Sequence, residues 1–323
     1  MNDIAGGFPE SPSNDFFRLI VENSEDLFAV LDLDGRRLYN SPSYAKLFGD
    51  IGQMKGSDSF AEIHPEDRES VKAAFCETVQ TGHSHRLNFR FVLPDGGVRV
   101  MESCGVLIRS SQGDPLRVVV VSRDVTERMK SEQKIYNLAF YDALTQLPNR
   151  RLLTDRLEQA MAASKRSGAH GAVMLLDLDN FKELNDIYGH NMGDALLKEV
   201  GRRITTCLRE TDTVARFGGD EFVLVLGNLD KDKAESNMQS NVVAEKVREL
   251  LAKPYELKQK VIGNAETIVT YHCSASIGVV LFLNHEFSIE DVLRQADIAM
   301  YQAKRAGRNS IQYYDSKGSS LTT

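Results

Sequence analysis

The sequence lacks the features that would place the protein in or across a membrane. No apolar run is long enough to span a bilayer, and the first residues, MNDIAGGFPESPSND, lack the basic and apolar segments of a signal peptide. A basic surplus is also missing, because the net charge is −7, which argues against a nucleic-acid duplex or an anionic membrane as partner. The 4 cysteines are scattered without a CxxC pair, and a cytosolic chain would keep them reduced: Cys76, Cys104, Cys207 and Cys273. These absences predict a cytoplasmic protein.

The most informative segment that is present is VARFGGDEFVLVL, from Val214 to Leu226. Its two apolar arms flank the residues GGDE, a pattern that predicts a β-hairpin whose tip needs the positive φ that glycine tolerates. The tip presents Asp220 and Glu221 beside the bare backbone of Gly218 and Gly219. A nucleotide phosphate could lie against the glycines while the carboxylates hold a cation. The alternative is a glycine hairpin with solvated acids.

A second acidic segment follows an apolar run, Gly171 to Leu176, whose continuity predicts a buried central strand. The run leads into Asp177, and a carboxylate at the end of a buried strand costs free energy unless a cation or hydrogen bonds compensate it. On neighbouring strand ends, Asp177 and Asp220 would form an oxygen-rich site suited to Mg²⁺. For Asp179 and Asn180, the alternative is that one of them caps the helix that follows.

Polar residues further along the chain indicate nucleotide contacts. Asn185 and Asp194 bracket a glycine-containing turn, and an amide with a carboxylate can recognise a guanine edge, although such residues are more often turn or cap residues. Lys304 and Arg308 lie at the end of a helix in DIAMYQAKRAGRN. Cations at that position favour the helix dipole in any case, and near a nucleotide they would bind its phosphates.

Five motifs together resemble the GGDEF domain of the diguanylate cyclase family: RFGGDEF, DLDNFKELND, GDALLKEV, DALTQLPNR and MYQAKRAGRN. They cover about Tyr141 to Tyr314, in the order and spacing of the family. The resemblance implies metal binding by Asp177, Asp220 and the Leu178 carbonyl. It implies that Glu221 binds metal or activates the attacking hydroxyl. It also implies nucleotide contacts by the guanine readers Asn185 and Asp194, the phosphate contacts Lys182, Lys304 and Arg308, the neighbouring Phe181, and the turn residues Gly218 and Gly219.

The resemblance implies a reaction, the condensation of two GTP molecules into cyclic di-GMP with release of two pyrophosphates. Each ribose 3′-hydroxyl would attack an α-phosphorus in line, assisted by Mg²⁺ or Mn²⁺, with two cations per active site. Because each domain binds one GTP, two domains must meet in a homodimer. The competing hypothesis is a receptor that binds GTP or cyclic di-GMP without turnover, and a cyclase for another cyclic dinucleotide is a further alternative.

Two further features bear on the resemblance. Arg209 and Asp212 match the family's RxxD motif for inhibition by product, whereas a surface Arg–Asp pair is the default for so short a pattern. Gln146 stands where the family usually has glycine.

The amino-terminal half, Phe16 to Val125, resembles a PAS domain. It predicts a strand, a turn at Asp34-Gly35, a second strand and a short helix, then two β runs around Pro94-Asp95-Gly96 and an apolar strand in LRVVVV. The IHPEDR and DVT segments support the likeness. A ligand is not identifiable from the sequence. The candidate ligand residues are assigned structural roles, a local cap for His64, exposed positions for His83 and His85, and the core for Cys76.

The predicted fold class is α+β, with a PAS-like sensor, a linker helix and a cyclase domain of the palm or ferredoxin-like kind. The predicted segments are a tail at 1–14, the sensor at 15–125, a signalling helix at 126–140, the GGDEF domain at 141–318 and a tail at 319–323. For the signalling helix, an ordinary linker and a short coiled coil are both consistent, with a seam of Val125, Met129, Glu132, Tyr136 and Ala139. The GGDEF half predicts a mostly antiparallel sheet with a helix at Ala234 to Leu251 and strands at Ile268 to Phe282 and Ile311 to Tyr314.

Overall fold

The computed structural model describes residues 19–260, 266–284 and 286–315. The predicted tails at 1–14 and 319–323 lie outside the described residues. The chain divides into two compact units, Met1–Gln133 and Lys134–Thr323. The segment boundaries inferred from the sequence stay predictions. Within the described ranges, no helix combines the length and the apolar character needed to cross a membrane.

The first unit is built around one five-stranded antiparallel sheet, in the order β2-β1-β5-β4-β3. Its elements are β1 (Leu27–Leu31), β2 (Arg37–Asn40), α1 (Ala45–Phe48), α2 (Pro65–Thr81), β3 (Arg86–Val92), β4 (Val98–Arg109) and β5 (Pro115–Asp124). A buried cluster with Leu27, Phe91 and Met101 packs against the sheet. The order of strands, turns and helices confirms the PAS-like prediction.

The residues at the two ends of helix α2 determine where it begins and ends. Pro65 occupies its first turn, and the Nδ1 atom of His64 accepts from the backbone N–H of Glu66 at 3.3 Å. Gly82, at φ 79°, ends the helix in the left-handed region. The local capping role predicted for His64 is therefore confirmed.

The predictions for the cysteine and the other histidines need correction. Cys76 was predicted in the core, and this is wrong, because the side chain is exposed. Phe75 packs against the core, and the next position on a helix is rotated by about 100°. His83 is exposed as predicted, whereas His85 is half-buried, with its Nε2 atom 3.4 Å from the Glu77 carboxylate.

Helix α3 (Thr126–Phe140) follows β5. The predicted seam began at Val125, which is buried at 2 % exposure and so is not available on the helix surface. The most exposed apolar side chains are Ile135 at 66 % and Leu138 at 74 %, and neither belongs to that seam. Met129 and Tyr136 of the predicted seam are exposed as well, so the short coiled coil and the ordinary linker helix both stay predictions.

The second unit contains another five-stranded sheet, in the order β12-β11-β6-β8-β7, and a separate β9-β10 pair. Every pairing in it is antiparallel except β11 with β12. Its elements are α4 (Arg150–Ser167), β6 (Gly171–Leu178), α5 (Phe181–Tyr188), α6 (His190–Thr205), β7 (Thr213–Gly218), β8 (Glu221–Leu226), α7 (Lys233–Leu251), β9 (Tyr255–Lys260), β10 (Glu266–Tyr271), β11 (Ala275–Phe282), α8 (Ile289–Arg305) and β12 (Ile311–Tyr313). The mostly antiparallel sheet covered by helices is confirmed.

Side chains of strand β6 contribute to two apolar cores, one on each face of the sheet. Met174 and Leu176 belong to the larger cluster, whereas Val173 and Leu175 belong to the other. Both faces are buried, which explains why the strand is a continuous apolar run rather than an alternating one. On the neighbouring strand, a Cβ at Gly278 would overlap the backbone of α8, so glycine there allows helix and sheet to touch.

The strand predicted from Ile268 to Phe282 is wrong as a single element. The structure divides it into β10, which pairs only with β9, and β11, which pairs with β6. Strand β6 ends at Leu178, which lies opposite Ala275. Upstream of Ala275 the main sheet therefore offers no partner, and the chain turns away to pair elsewhere.

The backbone conformation at Gln146 explains why glycine is usual in the family at this position. Its φ is 58°, in the left-handed region that side chains with a Cβ rarely adopt. The backbone N–H of Gln146 donates to the Asp142 carbonyl at 2.9 Å, and its side-chain amide donates to the Ala143 carbonyl at 2.8 Å. The residue therefore keeps the turn at a cost in backbone strain.

We expect Gln146→Gly to be more stable than Gln146→Ala by about 1 kcal/mol in free energy of unfolding, since both lose the side-chain bond but only glycine relieves the strain. Urea denaturation of the two variants measures this difference. Equal stabilities would show that the positive φ is not strained.

Candidate active site

The end of strand β6 places a carboxylate in a mostly apolar setting. Asp177 is buried, at 9 % exposure. Ser276 of β11 lies opposite it on one side and Glu221 of β8 on the other. Lys304, in the last turn of α8, reaches this carboxylate, with its Nζ atom 2.8 Å from Oδ1. The fold thus joins residues from three separate sequence motifs.

The turn between β7 and β8 is held by side-chain hydrogen bonds to its backbone, and the space beside its two glycines is open. Gly219 has φ 50°, and a Cβ at Gly218 or Gly219 would meet no atom within 4 Å. The Gly219 carbonyl accepts from Nε and Nη2 of Arg216 at 2.9 and 2.7 Å. The same guanidinium pairs with Asp142, with Nη1 3.1 Å from Oδ1. Arg216 therefore anchors the tip from which Asp220 extends.

The acids at this end of the sheet influence one another. Burial raises the pKa of Asp177, the hydrogen bond from Lys304 lowers it, and the charge of Asp220 raises it further. Burial also raises the pKa of Glu221, and the charges of Asp177, Asp220 and Asp297 add to that increase. The charged forms of these carboxylates therefore repel one another, and a cation placed among them would lower that cost.

The donor set suits a cation bound together with a ligand rather than a complete protein cage. In the part of the chain that the structure describes, no group of three His, Cys, Asp or Glu side chains is arranged to hold a metal ion. Mg²⁺ usually binds through one or two carboxylates, several waters and substrate phosphates, and Mn²⁺ prefers similar oxygen ligands. Asp177 and Asp220 fit that description. The role of the Leu178 carbonyl stays a prediction; the residue ends β6, with its side chain buried.

Helices α5 and α6 pack closely around the side chain of Asn185. The Oδ1 atom of Asn185 on α5 is buried and has no hydrogen-bond partner among the described residues. A buried acceptor in that condition costs roughly 1–3 kcal/mol unless a donor reaches it. Gly193 on α6 allows the close packing, because a Cβ there would overlap Asn185 Oδ1 and lie 3.1 Å from the Phe181 ring. Asp194, the next residue, is exposed. Asn185 and Asp194 therefore offer two acceptors that suit a ligand with N–H donors, such as guanine.

Asp179 has a role that the sequence did not reveal. Its carboxylate accepts from Ser276 Oγ at 2.7 Å, from Ser274 Oγ at 2.6 Å and from the backbone N–H of Asn309 at 3.0 Å. It does not cap α5, and Asn180, which occupies the cap position, makes no side-chain capping bond. The capping alternative for both residues is therefore wrong.

The network around Asp179 holds an unusual turn. Gly307, Arg308 and Asn309 have φ values of 115°, 64° and 42°, all in the positive region. The bond from the Asn309 backbone to Asp179 anchors this turn to the end of β6. Asp179 thereby fixes the backbone that bears Arg308, one of the predicted phosphate contacts.

The remaining predicted contacts lie at the surface. Lys182 and Arg308 are exposed, and within the described ranges neither forms an ion pair, whereas Phe181 is half-buried against the larger core. The structure thus groups Lys304 with the acids, and it places Asn185 with Phe181 and Gly193. Arg216 and Asp142 were not predicted as site residues, although they lie in the RFGGDEF and DALTQLPNR motifs. The neighbouring sequence of each residue gives no sign that the two side chains pair.

The RxxD segment forms a turn before β7. The Asp212 carboxylate accepts from the backbone N–H of Arg209 at 3.1 Å, so it bonds to the main chain rather than to the guanidinium. Arg209 is exposed and forms no ion pair with any described residue. Strand β7 separates this turn from Gly219 by roughly 20 Å, from the rise per residue of a strand. The surface Arg–Asp ion pair, which was the default interpretation, is therefore absent here.

Two family models match this chain. The model for the diguanylate cyclase GGDEF domain matches residues 139–310, and the model for a PAS fold matches residues 21–130. The GGDEF match contains every candidate site residue described above.

Similar proteins carry related names. Diguanylate cyclase DgcM of Escherichia coli (strain K12) is 34% identical over 225 residues, which cover 70% of this chain and 50% of that protein. Cyclic di-GMP phosphodiesterase PdeR of the same organism is 33% identical over 303 residues, which cover 92% of this chain and 42% of that protein. The solved GGDEF domain of TpbB (YfiN) from Pseudomonas aeruginosa is 35% identical, with a TM-score of 0.48, and covers 54% of this chain and 94% of that one.

The chain spans about a quarter to a half of the length of the curated relatives it matches. Since the GGDEF model matches more than half of the chain, and the first unit matches a PAS fold, the family assignment does not depend on any single relative. The chain belongs to the GGDEF family of diguanylate cyclase domains, preceded by a PAS fold.

Proposed function

We propose that this protein is a diguanylate cyclase, which condenses two GTP molecules into cyclic di-GMP and two pyrophosphates. The observation that supports this most is the intact acidic hairpin beside the buried strand end, with Asp220 and Glu221 next to Asp177 and Lys304. Clustered carboxylates with raised pKa values are typical of functional sites, and here the buried Asp177 and the neighbouring Glu221 both have raised pKa values.

Asn185 on α5 and Asp194 on α6 position the base. Asn185 Oδ1 accepts from a guanine N–H, which satisfies its buried acceptor, and the Asp194 carboxylate accepts from the remaining donors of the guanine edge. Phe181 is half-buried close to Gly193 and supports this arrangement. These contacts orient the nucleotide so that its phosphates lie toward the hairpin.

The phosphates are held by cations of the chain and by the bare hairpin turn. Lys182, Lys304 and Arg308 neutralise phosphate oxygens, and Gly218 with Gly219 permits close approach of the nucleotide. Glu221 accepts the proton of the attacking 3′-hydroxyl, a role that suits a carboxylate with a raised pKa. Mg²⁺ or Mn²⁺, two per active site, would be held by Asp177, Asp220 and the Leu178 carbonyl and would supply charge neutralisation at the reacting phosphate.

The reaction needs two copies of the domain. Each GGDEF domain binds one GTP, so a two-fold homodimer must present the two nucleotides to each other for reciprocal attack. In this proposal the PAS fold senses a signal and alters the dimer geometry through α3. Product binding at Arg209 and Asp212 would then reduce turnover.

A receptor without turnover is the second candidate. PdeR, which is similar over 92% of this chain, is named as a cyclic di-GMP phosphodiesterase, so similarity over this span does not by itself imply cyclase activity. GTP binding by the purified dimer with no product after long incubation with Mg²⁺ would favour the receptor.

Removal of the hairpin acid tests the enzyme directly. We expect Asp220→Ala to reduce cyclic di-GMP formation from GTP and Mg²⁺ at least about 100-fold, because a charge-stabilising group at the reacting phosphate is lost. The fold should persist, since the residue lies at a turn. Glu249→Ala, which removes an exposed acid on α7, is the matched control and should keep full activity. Full activity of Asp220→Ala would contradict the site.

Gly193→Ala tests the proposed guanine contact of Asn185. The added methyl group overlaps Asn185 Oδ1, so we expect affinity for GTP to fall by about 10-fold or more, equivalent to one lost hydrogen bond. Calorimetry with GTP in the absence of turnover measures this change. Gly201→Ala, a glycine replacement on the same helix, brings the new Cβ 3.0 Å from the Leu147 side chain and 3.7 Å from Thr145 Cβ, away from Asn185, and should bind GTP normally. Equal affinities for the two variants would remove Asn185 from the guanine site.

The product-inhibition site has its own test. We expect Arg209→Ala to raise the cyclic di-GMP concentration needed for half-inhibition by about 10-fold, because a charged hydrogen bond to the product is lost. Initial rates at increasing cyclic di-GMP give this value, with Arg202→Ala as a control for loss of an exposed arginine on α6. Unchanged inhibition in Arg209→Ala would show that the RxxD segment is only a turn.

A further inference from the structure

A cleft with a cavity volume of about 470 Å³ lies beside the hairpin turn, and we name it the arginine cleft. Its lining includes Asp142, Arg150, Arg151, Arg216, Gly218 and Gly219. Strand β7 is the edge strand of the sheet, and α4, which bears Arg150 and Arg151, begins next to it. None of the predicted substrate or metal residues lies in this cleft apart from the two glycines of the turn.

The cleft has an excess of positive charge. Asp142 is its only acid, and both oxygens of that carboxylate already accept from Arg216, at 3.1 and 3.2 Å. Arg150 and Arg151 form no ion pair with any carboxylate of residues 19–260, 266–284 or 286–315. Two guanidinium charges are therefore uncompensated, in a chain whose net charge is −7.

Both free guanidinium groups are held in place. The Arg150 guanidinium lies over the Phe217 ring at 4.6 Å, and that of Arg151 lies over the Phe140 ring at 5.0 Å. Stacking on an aromatic face leaves the in-plane N–H donors of a guanidinium available, and it reduces the side-chain entropy lost when an anion binds. The bare backbone of Gly218 and Gly219 leaves one wall of the cleft open to a ligand.

We propose that the arginine cleft binds an oligophosphate, the diphosphate or triphosphate group of a nucleotide or free pyrophosphate. Forked guanidinium groups match phosphate oxygens in pairs, and two of them can bind adjacent phosphates. The volume lies within the range of about 300–1,000 Å³ that is typical of small-molecule sites. The cleft binds this anion through Arg150 and Arg151, without Asp177, Asp220 or a metal ion. It is therefore a second anion site, whose existence does not require that the chain turn over GTP.

An anion bound in the arginine cleft would lie next to the contacts that hold the hairpin turn. Arg216, which lines the cleft, also holds the Gly219 carbonyl. An oligophosphate beside it lies one residue from the backbone of Asp220. Pyrophosphate in solution and the triphosphate of a GTP bound to a second copy are the two sources with this chemistry.

The test is calorimetric titration of the full-length protein with inorganic pyrophosphate, with divalent cations removed by a chelator. We expect Arg150→Gln and Arg151→Gln each to weaken pyrophosphate binding at least about 10-fold. Arg166→Gln, which changes an exposed arginine at the other end of α4, should bind like the wild type, and so should Asp220→Ala. Thermal unfolding of each variant checks that the fold is intact. If a glutamine variant does not fold, Arg150→Lys, which keeps the charge but loses the guanidinium fork, takes its place.

Two results would overturn the proposal. One is wild-type protein that binds no pyrophosphate under these conditions. The other is binding that Asp220→Ala or Arg166→Gln weakens as much as the cleft variants do, since the anion would then occupy the catalytic site or respond only to net charge. Failure of cyclase activity in the wild type would leave these measurements unaffected, so the two proposals are tested separately.

A second measurement distinguishes the sources. Sedimentation velocity with a non-hydrolysable GTP analogue and Mg²⁺ gives the fraction of protein dimerised by nucleotide. If Arg150→Gln and Arg151→Gln lower that fraction about 10-fold along with pyrophosphate affinity, the cleft binds the nucleotide of the second copy. If the fraction is unchanged while pyrophosphate affinity falls, the cleft binds free pyrophosphate.

Discussion

Repulsion between the carboxylates at the end of β6 and on β8 is the constraint on which the candidate site depends. Asp177 lies opposite Glu221 in the pairing register, and this register is set by apolar packing. Side chains of β6 alternate between two cores, so a slip of one residue would exchange every side chain between the faces. The hydrophobic cores thus hold together acids that would separate if they were free to do so. Lys304 offsets part of the cost, and ligand cations would offset more.

Backbone geometry determines where the other polar groups lie. Gly219 at φ 50° turns the hairpin, and the positive φ values of residues 307–309 bring the chain back toward β6. Such conformations cost free energy for residues with a Cβ, so surrounding contacts must hold them. Asp179 supplies those contacts for the second turn through the backbone N–H of Asn309. A buried carboxylate outside the chemistry therefore supports the position of Arg308.

Much of this arrangement could be predicted from the sequence, and the reasons are local. The apolar run before Asp177 and the GGDE tip specify a strand and a hairpin from nearest neighbours alone. The division of the segment from Ile268 to Phe282 could not be predicted, because it depends on where β6 ends. Cys76 was misplaced for a similar reason, since the amphipathic pattern of α2 is weak and only the packing of Phe75 shows which face is buried. Contacts such as Arg216 with Asp142 join residues far apart in sequence and leave no local signal.

The hairpin turn lies between two regions of opposite charge. On one side are the acids around Asp177, and on the other is the arginine cleft. Arg216 does not neutralise Asp220, because its guanidinium bonds to the Asp142 carboxylate and to the Gly219 carbonyl. Positive charge for the acids must then come from Lys304 or from ligand cations. Asp142 also follows closely after α3, which ends at Phe140. A displacement of the chain at that point would reach the tip through two contacts, Asp142 to Arg216 and Arg216 to Gly219, and so change the position of the carboxylate on which the proposed chemistry depends.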